Sequence, residues 1–381
     1  MSEYQYFEFQ AIDRPLTDKE MKELRSYSTR ARITPTSFVN DYAWGNFKGD
    51  EDAWIETYFD AFLYLANWGT HILKLRLPSR LLDPKIAKEY CPGESAFVRE
   101  KDGKLILSFL SEDEEGGEWV EGEGQLSSLI SVRAELARGD LRALYLGWLL
   151  CAQNGDLDDE DLEPPVPPGL GHLSAPLQSL TDFLRIDGDL LHIAAEASAS
   201  LEDSGPKREE IKAWVADLSS SEKDDVLAGL MVDGDQGLIS ELLHQFFKER
   251  NSSAGGLDAP SPRRTVGELL RSAEKYTDER QRIEAENRAK EKARREREAA
   301  IARAKHLDEI ADREPKLWAE VDSLIAAKQT KSYDQAVKLL VDLRDLAART
   351  KGGDFQQRVD AIRQTHARRS ALIERLKKAG L

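Results

Sequence analysis

Between positions 265 and 312 the chain carries no proline and a single glycine, Gly267, while charged residues dominate. Glu284/Arg288, Glu286/Lys290 and Glu291/Arg295 stand in the favourable i,i+4 order, each pair adding ~0.2–0.5 kcal/mol to an isolated helix. The stretch therefore predicts one long helix, and about 45 helical residues at ~1.5 Å rise span roughly 70 Å. Leu269, Tyr276 and Ile283 keep the seven-residue spacing of a coiled coil. The next two positions are Lys290 and Arg297, so a continuous tight seam is not expected. The 381-residue length leaves room for two or three units of about 100–200 residues each.

Charge is divided unevenly along the chain. The formal net charge is -16, but residues 263–381 hold 29 Lys+Arg against 21 Asp+Glu, and the first 262 hold 25 against 49. This is an acidic body with a basic tail. A polyanion would meet the tail first and be repelled by the body. Acids interleave with the tail's bases, however, so attraction between tail and body, within one chain or between protomers, is the alternative.

No apolar run approaches the ~18 residues of a membrane span, and the opening MSEYQYFEFQ lacks the features of a signal peptide. A cytoplasmic location without membrane association is expected. Cys91 and Cys151 are the only cysteines, which argues against a disulfide framework and against a cysteine-based zinc site.

The predicted fold class is an α+β N-terminal domain followed by a mainly α-helical middle domain, a long charged helix and a C-terminal helical bundle. Residues 4–9 read as a strand, and Thr17 with Glu20 has the spacing of a capping box. Residues 51–66 read as a buried central helix, because Trp54, Tyr58, Ala61, Phe62 and Leu65 share one helical face and Ile55, Phe59, Leu63 and Ala66 a neighbouring one. Leu73, Leu75 and Leu77 alternate with Lys74 and Arg76, the pattern of a half-buried strand. Residues 96–109 read as a hairpin turned by Asp102-Gly103. Acidic loops at 112–123 and 156–163 flank helices at 126–137 and 141–152.

The domain boundaries follow from these signals. Residues 1–155 form the aromatic-rich acidic domain, and 156–175 an acidic and proline-rich linker around Glu163-Pro164-Pro165-Val166-Pro167-Pro168-Gly169. A helical domain covers 176–250, with segments at 176–186, 188–198, 206–217, 221–231 and 236–249, and a polar linker covers 251–262. The long charged helix takes 263–313, ended by Glu314-Pro315. The C-terminal bundle, 314–381, is expected to hold helices at 317–328, 333–349 opened by a Ser332/Gln335 capping box, and 355–378.

Motifs for chemistry are scarce. The acidic run 154–161 lacks the central glycine and terminal glutamate of a calcium loop and reads as solvated. Asp187-Gly188-Asp189 and Asp233-Gly234-Asp235 read as turns and helix caps. No two of the six histidines lie closer than 20 residues apart, Gly169-Leu170-Gly171 lacks a phosphate-binding Lys-Ser or Lys-Thr, and there is no nucleophile elbow. No cofactor or metal is expected. His71 is the one candidate catalytic base, in a site that would also need Trp44 and Asp60 to converge.

Two groups of residues read as candidate binding sites. Fifteen aromatics fall in the first 70 residues, and Phe38, Tyr42, Trp44 and Phe47 lie in a Gly- and Asn-containing segment that reads as an aromatic loop. Tyr42, Trp44 and Phe47 are its recognition candidates, interfaces being enriched in Trp and Tyr. Arg294, Arg295, Arg297, Arg368 and Arg369 are the candidates for phosphate contact.

The opening Glu3-Tyr4-Gln5-Tyr6-Phe7-Glu8-Phe9-Gln10, running on to Thr17, together with the proline linker from Glu163 to Leu170 and the ending from Ile373 to Leu381, resembles an uncharacterised bacterial protein family. The resemblance implies a genomic association with SWIM zinc-finger proteins and no established activity. This chain lacks the CxCx(n)CxH ligand set of that finger.

The expected function is that of a non-enzymatic interaction or adaptor protein, docking a protein partner or another copy of itself through its helical C-terminal region. Nucleic-acid association through the basic tail, and an enzyme with an N-terminal site, are the alternatives.

Overall fold

The computed structural model describes residues 4–113, 121–200, 208–229, 242, 245–246, 263–350 and 354–381. Two compact units divide the chain, Met1–Glu279 and Arg280–Leu381.

The first unit is organised by a seven-stranded antiparallel sheet. Its strands are β1 (Gln5–Gln10), β2 (Arg32–Thr34), β3 (Ser37–Tyr42), β4 (Ala61–Ala66), β5 (His71–Pro78), β6 (Ala96–Lys101) and β7 (Lys104–Ser111), in the spatial order β2-β3-β1-β4-β5-β7-β6. Side chains alternate between two buried faces, the period a strand requires. Phe7, Phe9, Phe38, Phe62 and Ile106 enter one apolar core, while Tyr6, Leu63, Leu65, Leu73, Leu75, Leu77, Leu105, Leu107 and Phe109 enter another. The expected strand at the N-terminus is β1. The expected hairpin is β6–β7, turned by Asp102 and Gly103 at φ of 50° and 73°. Helix α1 (Asp18–Tyr27) opens on the capping box read from the sequence: Glu20 N donates to Thr17 Oγ1 and Thr17 N to Glu20 Oε2.

The central helix expected at 51–66 is corrected. Helix α2 (Glu51–Thr57) is short, capped by Asp50, and the chain then enters β4. A strand buried on both faces presents a continuous apolar run. Any such run also satisfies a helical face count, so the pattern at 58–66 does not discriminate. Pairing does: β4 bonds to β1 on one side and β5 on the other, with Phe62 opposite both Phe9 and Lys74.

The half-buried reading of β5 is also corrected, since Lys74 and Arg76 are buried along with the leucines. Each brings a counter-charge. Lys74 Nζ donates to Asp52 Oδ1 at 2.5 Å and Arg76 Nη2 to Asp60 Oδ1 at 2.6 Å, because a buried charge is tolerated only when paired.

Helices cover the second face. They are α3 (Pro84–Tyr90), α4 (Gln125–Leu129), α5 (Ser131–Ala137), α6 (Arg142–Asn154), α7 (Ala175–Leu184) and α8 (Gly188–Ala195), the single helix expected at 126–137 being divided at Ile130. Helix α6 is buried on all sides from Arg142 to Ala152 and ends at Gly155, whose φ of 78° forms a left-handed cap. The residues read as a linker at 156–175 pack onto this unit. Buried Glu163 accepts from Arg264 Nε at 2.8 Å and Nη2 at 2.7 Å and from the Tyr145 hydroxyl, while Tyr90 donates to Pro165 O at 2.5 Å.

The short helices α9 (Arg208–Asp217) and α10 (Ser220–Ala228) have no buried residues. The helix read at 236–249 lies mostly outside the described residues, as do Asp233-Gly234-Asp235, His244, the linker 251–262 and the middle of the 112–123 loop.

The long helix is α11 (Val266–Ala311). Val266, Leu269 and Ala273 belong to the core of the first unit, and Leu307 and Ile310 to that of the second. The acidic loop before the proline segment receives its first turn: Asp161 O accepts from Val266 N at 2.9 Å and Asp159 O from Gly267 N at 3.0 Å. Unpaired amides and the positive end of the helix dipole explain why acids gather there.

The second unit adds α12 (Glu314–Ala326), α13 (Thr330–Thr350), α14 (Phe355–Thr365) and α15 (Ser370–Lys378) around Val321, Leu340, Val359, Leu372 and Leu376. Two expectations are corrected here. Helix α13 starts at Thr330, with Tyr333 N already bonded to Gln329 O, so Ser332 is inside it and no cap. The helix expected at 355–378 breaks at 366–369. In one continuous helix Leu372 would sit about 140° around from Val359, and the break lets both enter the same core.

Candidate functional site

The aromatic segment divides into core and surface. Phe38 and Tyr42 belong to β3, correcting the loop reading for those residues. Tyr42 meets Phe7 edge-on at 5.7 Å, and Phe47 stacks on Phe7 and crosses Trp54, both at 4.9 Å. These rings close the apolar face beside α2. Trp44 is different: it is 69% exposed, and the Arg30 guanidinium lies 5.2 Å over its ring. Gly45, at φ +85°, turns the chain back so that Phe47 reaches the core while Trp44 stays outside.

A second exposed indole, Trp68, lies at the same end of the sheet, in the turn joining β4 to β5, and is 44% exposed. Tyr42 and Ala66 both pair with Gln5, so Trp44 and Trp68 each sit two residues beyond the same row. Strands β3 and β4 flank β1, so the two loops leave the sheet at the same end. The loops are anchored to the start of β1. Gln5 Nε2 donates to Gly45 O and Tyr4 N to Asn67 Oδ1, both at 3.0 Å. Pairing across β1, invisible in a linear pattern, groups Trp68 with Trp44.

Three of the five arginines lie on α11 and two in the turn between α14 and α15. Arg294 and Arg295 each sit 3.0 Å from Glu291, Arg294 also lies 3.7 Å from Glu298, and Arg297 is exposed. Arg368 is exposed as well. Arg369 Nη1 donates to Ile325 O at 2.7 Å, satisfying a terminal carbonyl of α12.

The catalytic site that would have needed Trp44, Asp60 and His71 to converge is not formed. Leu65 pairs with His71, whereas Asp60 precedes β4 at its other end, about 17 Å away along the strand. His71 is also fully engaged. Its Nδ1 lies 2.8 Å from Phe183 O and its Nε2 2.9 Å from Arg185 Nη2. Because the guanidinium only donates, Nε2 accepts and Nδ1–H donates, which is a neutral imidazole. Burial pushes its pKa down, and the Arg185 charge adds to that. Asp60 accepts from Ile12 N, Asp13 N and Arg76, which ties down an end of the sheet.

A polar group missed by sequence reasoning sits on the sheet face beyond α2. Lys74 and Ser108 face each other across β5 and β7, and Arg99 on β6 reaches Asp52 Oδ1 at 2.6 Å. Arg99 Nε and the Ser108 hydroxyl are buried without a hydrogen-bonding partner among the described residues. Among the described residues no three His, Cys, Asp or Glu side chains are grouped to hold a metal ion, and no helix is long and apolar enough to cross a membrane.

No family model, curated protein or solved structure matches the chain.

Proposed function

We propose that the protein is a non-enzymatic adaptor that docks a protein partner through its helical C-terminal region. The observation that carries this reading is the surface of α11: from 280 to 302 every residue except Glu291 is exposed. Ile283 and Ile301 are among them, at 47% and 61% exposure, and 18 residues is five helical turns, which aligns them on one side. Exposed isoleucines on an otherwise charged helix give a partner apolar anchors within a polar rim.

A protein is favoured over nucleic acid by the charge arrangement. Arg294 and Arg295 are held by glutamates, as are Arg280 by Glu284 and Lys290 by Glu286 at 2.8 and 2.7 Å. Phosphate binding draws its strength from releasing counterions around clustered, unopposed cations. At Arg294 and Arg295 a phosphate contact would first break an ion pair.

The test is affinity purification from the native host after nuclease treatment, comparing the wild-type chain with an Ile283→Glu/Ile301→Glu variant. A protein partner recovered in fixed ratio by the wild type and lost by the variant supports the reading. Equal recovery by both, or recovery of nucleic acid alone, overturns it.

A further inference from the structure

We infer that the end of the sheet bearing Trp44 and Trp68 is a docking surface for an arginine-rich segment of a protein partner. This surface belongs to the first unit and stands independently of docking on α11.

Three observations support it. Tryptophan is a costly residue to leave in water, and here two indoles emerge at one sheet end, on loops held in place by Gln5 and Tyr4. Gly69 fixes the second loop: its φ is +102°, and a Cβ there would lie 2.3 Å from Asp113 O. Both loops are thus tied to the sheet end through their backbone or a loop side chain, which limits the ordering cost of binding.

The charge at this end is suited to a cation. Asp41, Asp113, Glu121 and Glu123 lie around the two loops, against Arg30, Arg32 and Arg185, the last donating from Nη1 to Gly69 O at 2.9 Å. Arg32 is engaged by Glu123 at 3.3 Å. Burial raises the pKa of Tyr4, and the charges of Asp41, Glu121 and Glu123 raise it further, which marks a negative local field. The wider body, with 49 acidic against 25 basic residues in the first 262, extends that field.

Arg30 shows which cation the indole accepts. Its guanidinium already lies over the Trp44 ring at 5.2 Å, an intramolecular stand-in for a partner's arginine. Guanidinium is more weakly hydrated than ammonium and stacks flat on an aromatic face, so arginine rather than lysine is selected.

The test uses the full-length protein titrated with an oligoarginine peptide, and with an oligolysine peptide of equal length, by calorimetry and tryptophan fluorescence at physiological ionic strength. Oligoarginine is expected to bind more tightly than oligolysine. Trp44→Ala and Trp68→Ala are each expected to weaken it by about two- to five-fold, the range for an exposed cation–π contact. Arg30→Ala, which frees the Trp44 face, is expected to tighten binding. Equal affinity for the two peptides, or an unchanged affinity in the Trp44→Ala/Trp68→Ala variant with its circular dichroism intact, would reduce the effect to bulk charge and overturn the inference. Failure of oligoarginine to bind would overturn it directly.

Discussion

Replacing Asp60 with alanine isolates one buried charge. The Asp60 carboxylate is 1% exposed, and it receives Arg76 Nε and Nη2 at 3.1 and 2.6 Å and the amides of Ile12 and Asp13 at 2.7 and 2.9 Å. Removing it leaves the Arg76 guanidinium, only 6% exposed, without its counter-charge and strands two amides. Breaking such a pair from one side costs about 3–5 kcal/mol, a large share of the ~5–15 kcal/mol that stabilises a typical domain. An Asp60→Ala/Arg76→Met variant should recover part of the loss, since the orphaned charge is gone. Six of the seven tryptophans lie in the first unit, so fluorescence-detected urea unfolding reports mainly on it. Acidity should act on the same group. Burial raises the Asp60 pKa, but Arg76 and the amides of Asp13 and Ile12 outweigh it, and the folded value lies below the usual carboxylate range. Its stabilising contribution is therefore complete above about pH 4 and is lost as the pH falls through that lower folded value. A cost under about 1 kcal/mol for Asp60→Ala, or acid sensitivity unchanged by it, would refute this account of the sheet.

Other perturbations should be equally legible. Gly147→Ala in α6 should destabilise the first unit although alanine favours helix by about 1 kcal/mol, because the new Cβ would lie 2.6 Å from Phe109 Cε1; a rise in Tm would contradict the packing. Cys91 and Cys151 are buried, with burial raising both thiol pKa values, that of Cys151 to about 12, so neither should react with a thiol reagent until the protein unfolds. His71 should titrate below about 6.5 by NMR, and because its folded pKa is depressed it should lower stability as the pH falls below that value. A His71 pKa at or above 6.5 would contradict its neutral, doubly bonded state.

Local chemistry was the legible part of the sequence. The Thr17/Glu20 capping box, the Asp102-Gly103 turn and the long α11 are each specified by a few neighbouring residues, and each is found. Misreadings arose where tertiary context decides. The apolar run at 58–66 fits helix or doubly buried strand equally, and only pairing with β1 and β5 selects the strand. Lys74 and Arg76 read as solvent-facing because a sequence does not show Asp52 and Asp60 arriving to neutralise them. The break at 366–369 carries no glycine or proline; it follows from the bundle's need to gather Val359 and Leu372 on one side. In the aromatic segment, composition pointed to a surface, but only Trp44 is strongly exposed, while Tyr42 and Phe47 pack on Phe7. Its companion Trp68 lies 24 positions further on and joins it only through the strand order.

Hydrogen exchange read by mass spectrometry, on the purified chain alone and in complex with its co-purifying protein partner, addresses the central claim most directly. The exposed amides of 280–302 rely on backbone hydrogen bonds and marginal ion pairs for protection, so they should exchange fast in the free protein. On docking, peptides covering Ile283 to Ile301 should show slowed exchange, with the bundle core around Val321 and Leu340 little changed. Protection confined to other segments, with 280–302 exchanging as before, would contradict docking through this helix.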